Sequence, residues 1–235
     1  MKKPFLFVAV ILAMSFGAMA QSKTSPNRGG FVIRGGVNFA NISVADNGRV
    51  DKANNLVSFH AGIGYDIPVC DYFSLQPGLI FTGKGAKTQL GKEADNFYYK
   101  ASSNPMYLEL PLNFVAKIPV GEYSKFFIGA GPYAAAGIAG KNKVEIHTIG
   151  VVSNLSKNIV YSNDDPTTSQ EENYGYGKLK RFDYGLNALA GIEFPKFSIV
   201  ANYGYGLVKI NSGADNSTND KGKNRVLSLS LGIKL

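Results

Sequence analysis

Ser58 and His60 are residue types that could do chemistry together, as a hydroxyl beside an imidazole. Nucleophilic catalysis needs the base within hydrogen-bond reach of the hydroxyl and a third group to orient the base. On an extended chain, residues two apart share a face and lie roughly 6.5–7 Å apart at Cα, so the pair can meet but is not driven to. A lipid-acting hydrolase is one reading of this pair. The other is a histidine whose ring nitrogens are satisfied by polar neighbours. His147 lies in a long loop with no evident ligand partner. Cys70 is the sole cysteine, so no internal disulfide can form, and a turn or buried thiol is expected. "GYGK" (175–178) lacks the spacing of a phosphate-binding loop. Asp164, Asp165, Glu171 and Glu172 make one segment locally acidic, which reads as a solvated loop or a weak cation site. The sequence contains no metal-ligand cluster, and no cofactor is expected.

The remaining polar candidates are Arg34, Asp66, Glu109, Asn113, Lys117, Asn187, Glu193 and Asn202. Each stands in a segment that alternates apolar and polar residues, and each falls on the polar side. Eight such segments can be counted. The fourth is the clearest: Met106, Leu108, Leu110, Leu112, Phe114, Ala116 and Ile118 oppose Tyr107, Glu109, Asn113 and Lys117. The last, "RVLSLSLGIKL", sets Leu227, Leu229, Leu231, Ile233 and Leu235 against Ser228, Ser230, Gly232 and Lys234. The others are Phe31 to Asn41, Val57 to Ile67, Tyr72 to Gly83, Phe182 to Phe194 and Phe197 to Leu207, with Lys125 to Ile138 ambiguous in its facing.

The connections decide what the apolar face meets. Those after segments two, four and six are short ("PVCD", "PVGEYS", "PK"). Those after one, three, five and seven are long and polar, near 41–56, 84–105, 139–181 and 208–224. A β-sandwich has no reason to put every long loop at one end. An up-and-down outer-membrane barrel has this asymmetry. The polar side is rich in Gly, Ser and Asn, which suits a narrow lumen better than a solvated sheet face. The first twenty residues read as a secretory signal: Lys2 and Lys3, an apolar core from Phe5 to Phe16, then Ala18-Met19-Ala20. Residues 21–30 would be a periplasmic segment and 31–235 the barrel. No later apolar run approaches the ~20 residues of a spanning helix, so a membrane-integral mature chain has to be a barrel.

Charged residues are 18% of the chain, with 27 Gly, 13 Tyr, 15 Phe and no Trp, a composition that favours strands. The net charge of +8 falls to +6 once Lys2 and Lys3 are removed. The basic residues are scattered, with no run interleaved with aromatics, so no nucleic-acid partner is expected. A charged surface beside anionic lipid headgroups fits them.

"MYLELPLNF" (106–114), "FFIGAGPYAAAGIAG" (126–140), "RFDYGLNALAGIEF" (181–194), "YGYGLVKI" (203–210) and "NRVLSLSLGIKL" (224–235) resemble successive strands of PorT-type outer-membrane β-barrels. The resemblance covers essentially the whole mature chain. It implies an all-β, eight-stranded antiparallel barrel in the outer membrane, met during biogenesis by the barrel-assembly machinery. Most such barrels have no assigned activity, and one is implicated in assembling a secretion system. Their usual terminal aromatic is here Leu235.

The expectation is a non-enzymatic barrel in outer-membrane lipid. Arg34 is expected to pair with Glu193, and Lys117 with Asp66 or Glu193, plugging the periplasmic half of the lumen. Loops 139–181 and 208–224 are the expected contact surfaces for a protein or surface partner. A narrow solute channel and a secretion-machinery component are the alternatives.

Overall fold

A computed structural model describes residues 29–42, 53–91, 97–148, 151–162, 175–212 and 222–235. The expected signal, residues 21–28 and the acidic Asp164, Asp165, Glu171 and Glu172 lie outside the described residues. Eight strands form the staves of a barrel: β1 Gly30–Ile42, β2 Leu56–Cys70, β3 Phe73–Gly83, β4 Phe97–Pro119, β5 Lys125–Thr148, β6 Phe182–Glu193, β7 Phe197–Lys209 and β8 Lys223–Lys234. Each pairs antiparallel with its neighbours in sequence. The ring closes where β1 meets β8, from Val32 opposite Lys234 to Ile42 opposite Asn224. Closure leaves no strand edge inside the barrel wall.

The facing is the reverse of a soluble protein's. Along β8, Leu227, Leu229, Leu231 and Ile233 are 51–52% exposed, while Ser228 and Ser230 are buried at 8% and 5%. Phe59, Leu110, Phe114, Leu186 and Ile199 continue this exposed apolar surface on the other staves. Such a belt is stable only against lipid. The facing of β5 resolves the same way: Phe127 and Tyr133 turn inward, Ile128 and Ile138 outward. The lumen is less uniformly polar than its Gly, Ser and Asn content suggests. Val115, Phe127, Leu189 and Val200 form a buried apolar cluster inside it.

The short connections 71–72, 120–124 and 194–196 share one end with both ends of the barrel chain, and Leu235 N–H donates to Phe31 C=O there (3.0 Å). The opposite end departs from the expected polar coil. β4 starts at Phe97 instead of Met106, and β5 runs on to Thr148 instead of stopping at Ile138. Ala86–Leu90 pairs with β4, Ala53–Asn54 pairs with Ala86–Leu90, and Val151–Asn158 pairs with β5. A second small sheet joins Val160–Tyr161, Gly175–Leu179 and Asn211–Ser212. These strands were hidden because no lipid bounds them. Their alternation is diluted with charge, as in "KVEIHT" (143–148), and carries no apolar belt.

Candidate functional site: the filled lumen

Inward side chains fill the barrel in three layers. In the layer nearest the short turns, Lys117 Nζ lies 2.6 Å from Asp66 Oδ2 and 3.1 Å from Glu193 Oε2. The Lys234 ammonium caps the other Glu193 oxygen. Gln76 Nε2 donates to Asp66 Oδ1 (2.9 Å). The expected Arg34–Glu193 pair does not form. Arg34 stands three strands from Glu193 around the ring, whereas Lys234, on β8, stands two away and takes that oxygen. Arg34 instead shares the wall of one small cavity with Asp66, on the adjacent stave.

The middle layer is neutral. His60 is hydrogen-bonded through Nδ1 to Asn38 Oδ1 and through Nε2 to Ser230 Oγ, both at 2.7 Å. Asn38 Nδ2 donates to Thr82 Oγ1 and Gly83 C=O, so its Oδ1 is the acceptor, which assigns His60 the Nδ1–H tautomer. Ser228 Oγ also donates to Asn38 Oδ1 (2.8 Å). Ser58 Oγ donates to Gly83 C=O (2.7 Å) instead of meeting His60. Ser58 and His60 therefore do not form the pair read from the sequence. The hydroxyl that His60 meets is that of Ser230, with Asn38 on its other nitrogen, and all three side chains are buried in the lumen.

The layer toward the long connections centres on Lys84. Its Nζ lies 2.8 Å from Glu109 Oε2 and 3.0 Å from Asp183 Oδ2. It sits over the Tyr133 ring at 4.0 Å and the Tyr107 ring at 5.4 Å, a cation–π arrangement. Asn224 Nδ2 and the Tyr133 hydroxyl donate to Asp183 Oδ2 (3.0 and 3.2 Å). Asn187 Nδ2 donates to Glu109, and Asn202 Nδ2 donates to Asn187.

Two small cavities, about 40 and 30 Å³, lie within this packing, and Arg34, Ile80, Pro111 and Asn113 line both. Each holds a few waters at most. All eight polar residues expected in the lumen face it. Asp66, Lys117 and Glu193 meet in one charged layer, Glu109, Asn187 and Asn202 in the other, and Arg34 and Asn113 line the two cavities. Lys84, Asp183, Asn38 and Asn224 complete the layers and were not among those eight. His147 lies not in a loop but on the extension of β5, with Nε2 3.0 Å from Glu145 Oε1 and its ring against Tyr98. Cys70 is an exposed thiol at the end of β2. Among the described residues, no group of three His, Cys, Asp or Glu side chains could hold a metal ion.

The profile of a family described as the outer membrane protein beta-barrel domain matches residues 19–212. The chain belongs to that family. It is an integral protein of the cell outer membrane, spanning it with strands. No curated protein sequence matches it. Among solved structures, Neisserial surface protein A is similar at 14% identity, over 89% of this chain and 100% of that one, with a TM-score of 0.39. Ail, the attachment invasion locus protein of Yersinia pestis, solved with the heparin analogue sucrose octasulfate, is 15% identical over 88% and 97%, with a TM-score of 0.36. The N-terminal β-barrel domain of Pseudomonas aeruginosa OprF is 8% identical over 88% and 100%, with a TM-score of 0.31.

Proposed function

We propose that this barrel is a non-conducting, non-enzymatic scaffold that holds an interaction surface outside the cell. The observation that carries this reading is a lumen crossed by two layers of paired charges, beneath a wall that keeps going. β6 ends opposite Ala136 of β5, yet β5 continues twelve residues to Thr148. At strand rise that is roughly 40 Å of additional sheet. The short-turn end and both termini are periplasmic in this reading, and the long end is extracellular. Residues 139–181 and 208–224 then supply the sheets that would meet a protein or surface partner. Export through a signal cleaved after Ala20, and insertion by the barrel-assembly machinery, belong to the same reading. The finer assignment to PorT-type barrels rests on the strand motifs alone.

Single-channel recording of the purified barrel in planar bilayers tests the scaffold. The expected trace shows no open level above baseline at any holding potential. A large, steady conductance overturns the reading in favour of a narrow solute channel.

A further inference from the structure

The extended sheet has two chemically different faces, and their division is set by one irregularity. Met106 pairs with Ala139 while Tyr107 pairs with Gly137, so Ile138 is the extra residue of a β-bulge. Ile138 and Ala139 are both exposed, and the alternation of β5 shifts by one position beyond them. Without the bulge, Lys141 and Lys143 would share parity with the inward Tyr133 and Ala135. With it, they share the outward face with Met106, Leu108 and Leu110.

That face crosses from apolar to cationic at a defined height. A barrel strand needs about 9–11 residues to cross the hydrocarbon layer. Counting from Ile118 on β4 and Phe126 on β5, the layer ends near Leu108 and Ala136, which are paired. Directly above lies a concavity of about 700 Å³. Met106, Ile138 and Ala139 make its lower wall, and Lys141, Lys143 and Asn158 its upper wall. Both lysines are exposed. Among the described residues, neither makes an ion pair with a carboxylate, whereas Lys100, on the same face, does so with Glu145 (3.6 Å).

We propose that this concavity binds a phosphorylated glycolipid of the surrounding outer leaflet. Lys141 and Lys143 hold its phosphate, and Met106 and Ile138 lie against the first carbons of its acyl chains. The continuity of the apolar wall with the lipid belt favours a membrane lipid over a soluble anion. Two exposed ammonium groups at headgroup height, neither in an ion pair among the described residues, supply the charge complementarity. The proposal rests on the long-loop end being extracellular, but not on the lumen being closed. Recording a conductance would therefore leave it standing.

The test is native mass spectrometry of the detergent-solubilised mature barrel titrated with bisphosphorylated lipid A. Heat-modifiable migration on gels verifies that each variant is folded. K141E/K143E should lower lipid A adducts by at least about tenfold, the order expected for two lysines near an anionic surface. The milder K141Q/K143Q should lower them less. K157E changes an exposed lysine at similar height on the opposite face, since Lys157 pairs with Asn142. It should leave adducts unchanged. Lipid A stripped of both phosphates should bind the unsubstituted protein no better than K141E/K143E binds the intact lipid. An equal loss in K157E overturns the site in favour of a net-charge effect. Undiminished adducts in folded K141E/K143E, or tight binding of the stripped lipid, overturn it outright.

Discussion

Two lysines in this lumen each bridge two carboxylates, yet they are supported in different ways. Lys117 joins Asp66 and Glu193 in a layer that also contains Lys234 on Glu193 and Arg34 beside Asp66. Lys84 joins Glu109 and Asp183, and the other donors to those two carboxylates are neutral: Asn187, Asn224 and Tyr133. Among the described residues, the layer near the short turns therefore has cations to spare, and the layer near the long connections has a single cation. In a medium that excludes water, this matters more than the number of contacts, because an unpaired buried charge costs far more than a lost hydrogen bond.

The largest effect is accordingly expected at Lys84. Lys84→Met should cost roughly 3–5 kcal/mol of stability, because two carboxylates, one of them wholly buried, are left with no counter-charge. Reversible urea unfolding of the barrel in phosphatidylcholine bilayers would measure it. Adding Asp183→Asn to Lys84→Met should recover a large part of the loss by removing one of the stranded charges. If the double variant is no more stable than the single one, the loss is one of packing over Tyr133 and Tyr107, and the charge account is wrong.

Lys117→Met should cost less, roughly 1–3 kcal/mol in the same unfolding assay. Lys234 keeps Glu193 paired, and Arg34 and Gln76 remain beside Asp66. Here the rescue logic reverses. Adding Glu193→Gln to Lys117→Met should bring no recovery, because it strips Lys234 of its carboxylate. Equal losses for Lys84→Met and Lys117→Met would remove the distinction between the two layers.

The same contrast explains what could be read from the sequence. Asp66, Lys117 and Glu193 all stand on regular staves, where a period of two fixes which side chains point inward, and short turns fix their common height. Their meeting was legible for that reason. Arg34 was placed on the correct face but given the wrong partner, since parity says nothing about how many strands separate two residues around the ring. Lys84 fell outside the pattern altogether. It lies in the break between β3 and Ala86–Leu90, beside Gly85, whose φ of 150° is rarely adopted by residues with side chains. A Cβ on Gly85 would lie 2.0 Å from the Ser103 carbonyl oxygen, so the chain can turn Lys84 inward there only with glycine following. "TGKGAK" (82–87) reads as a loop by composition, and only the three-dimensional approach of β4 makes it part of the lumen. The sheets beyond the barrel wall were missed for a related reason. An apolar belt is a strong periodic signal only where lipid demands it, and Phe97 to Asn104 and Lys141 to Thr148 lie beyond that demand.

The neutral layer between the two charged ones should be the most tolerant. Ser230→Ala removes the hydroxyl hydrogen-bonded to His60 Nε2 at 2.7 Å, leaving a buried ring nitrogen without its protein partner. The ordinary cost of such an orphaned acceptor is about 1–3 kcal/mol. Here, however, His60 and Ser230 both line the 40 Å³ cavity. Removing Oγ enlarges that space beside a polar wall, so a water can reach Nε2 and take over the bond. The expected loss in bilayer unfolding is therefore only about 0.5–1.5 kcal/mol, with His60 still held at Nδ1 by Asn38. A loss as large as that of Lys117→Met would mean that water does not enter the middle of the lumen. The three layers would then act as one cooperative network, and the difference between spare and single cations would no longer set the stability of this barrel.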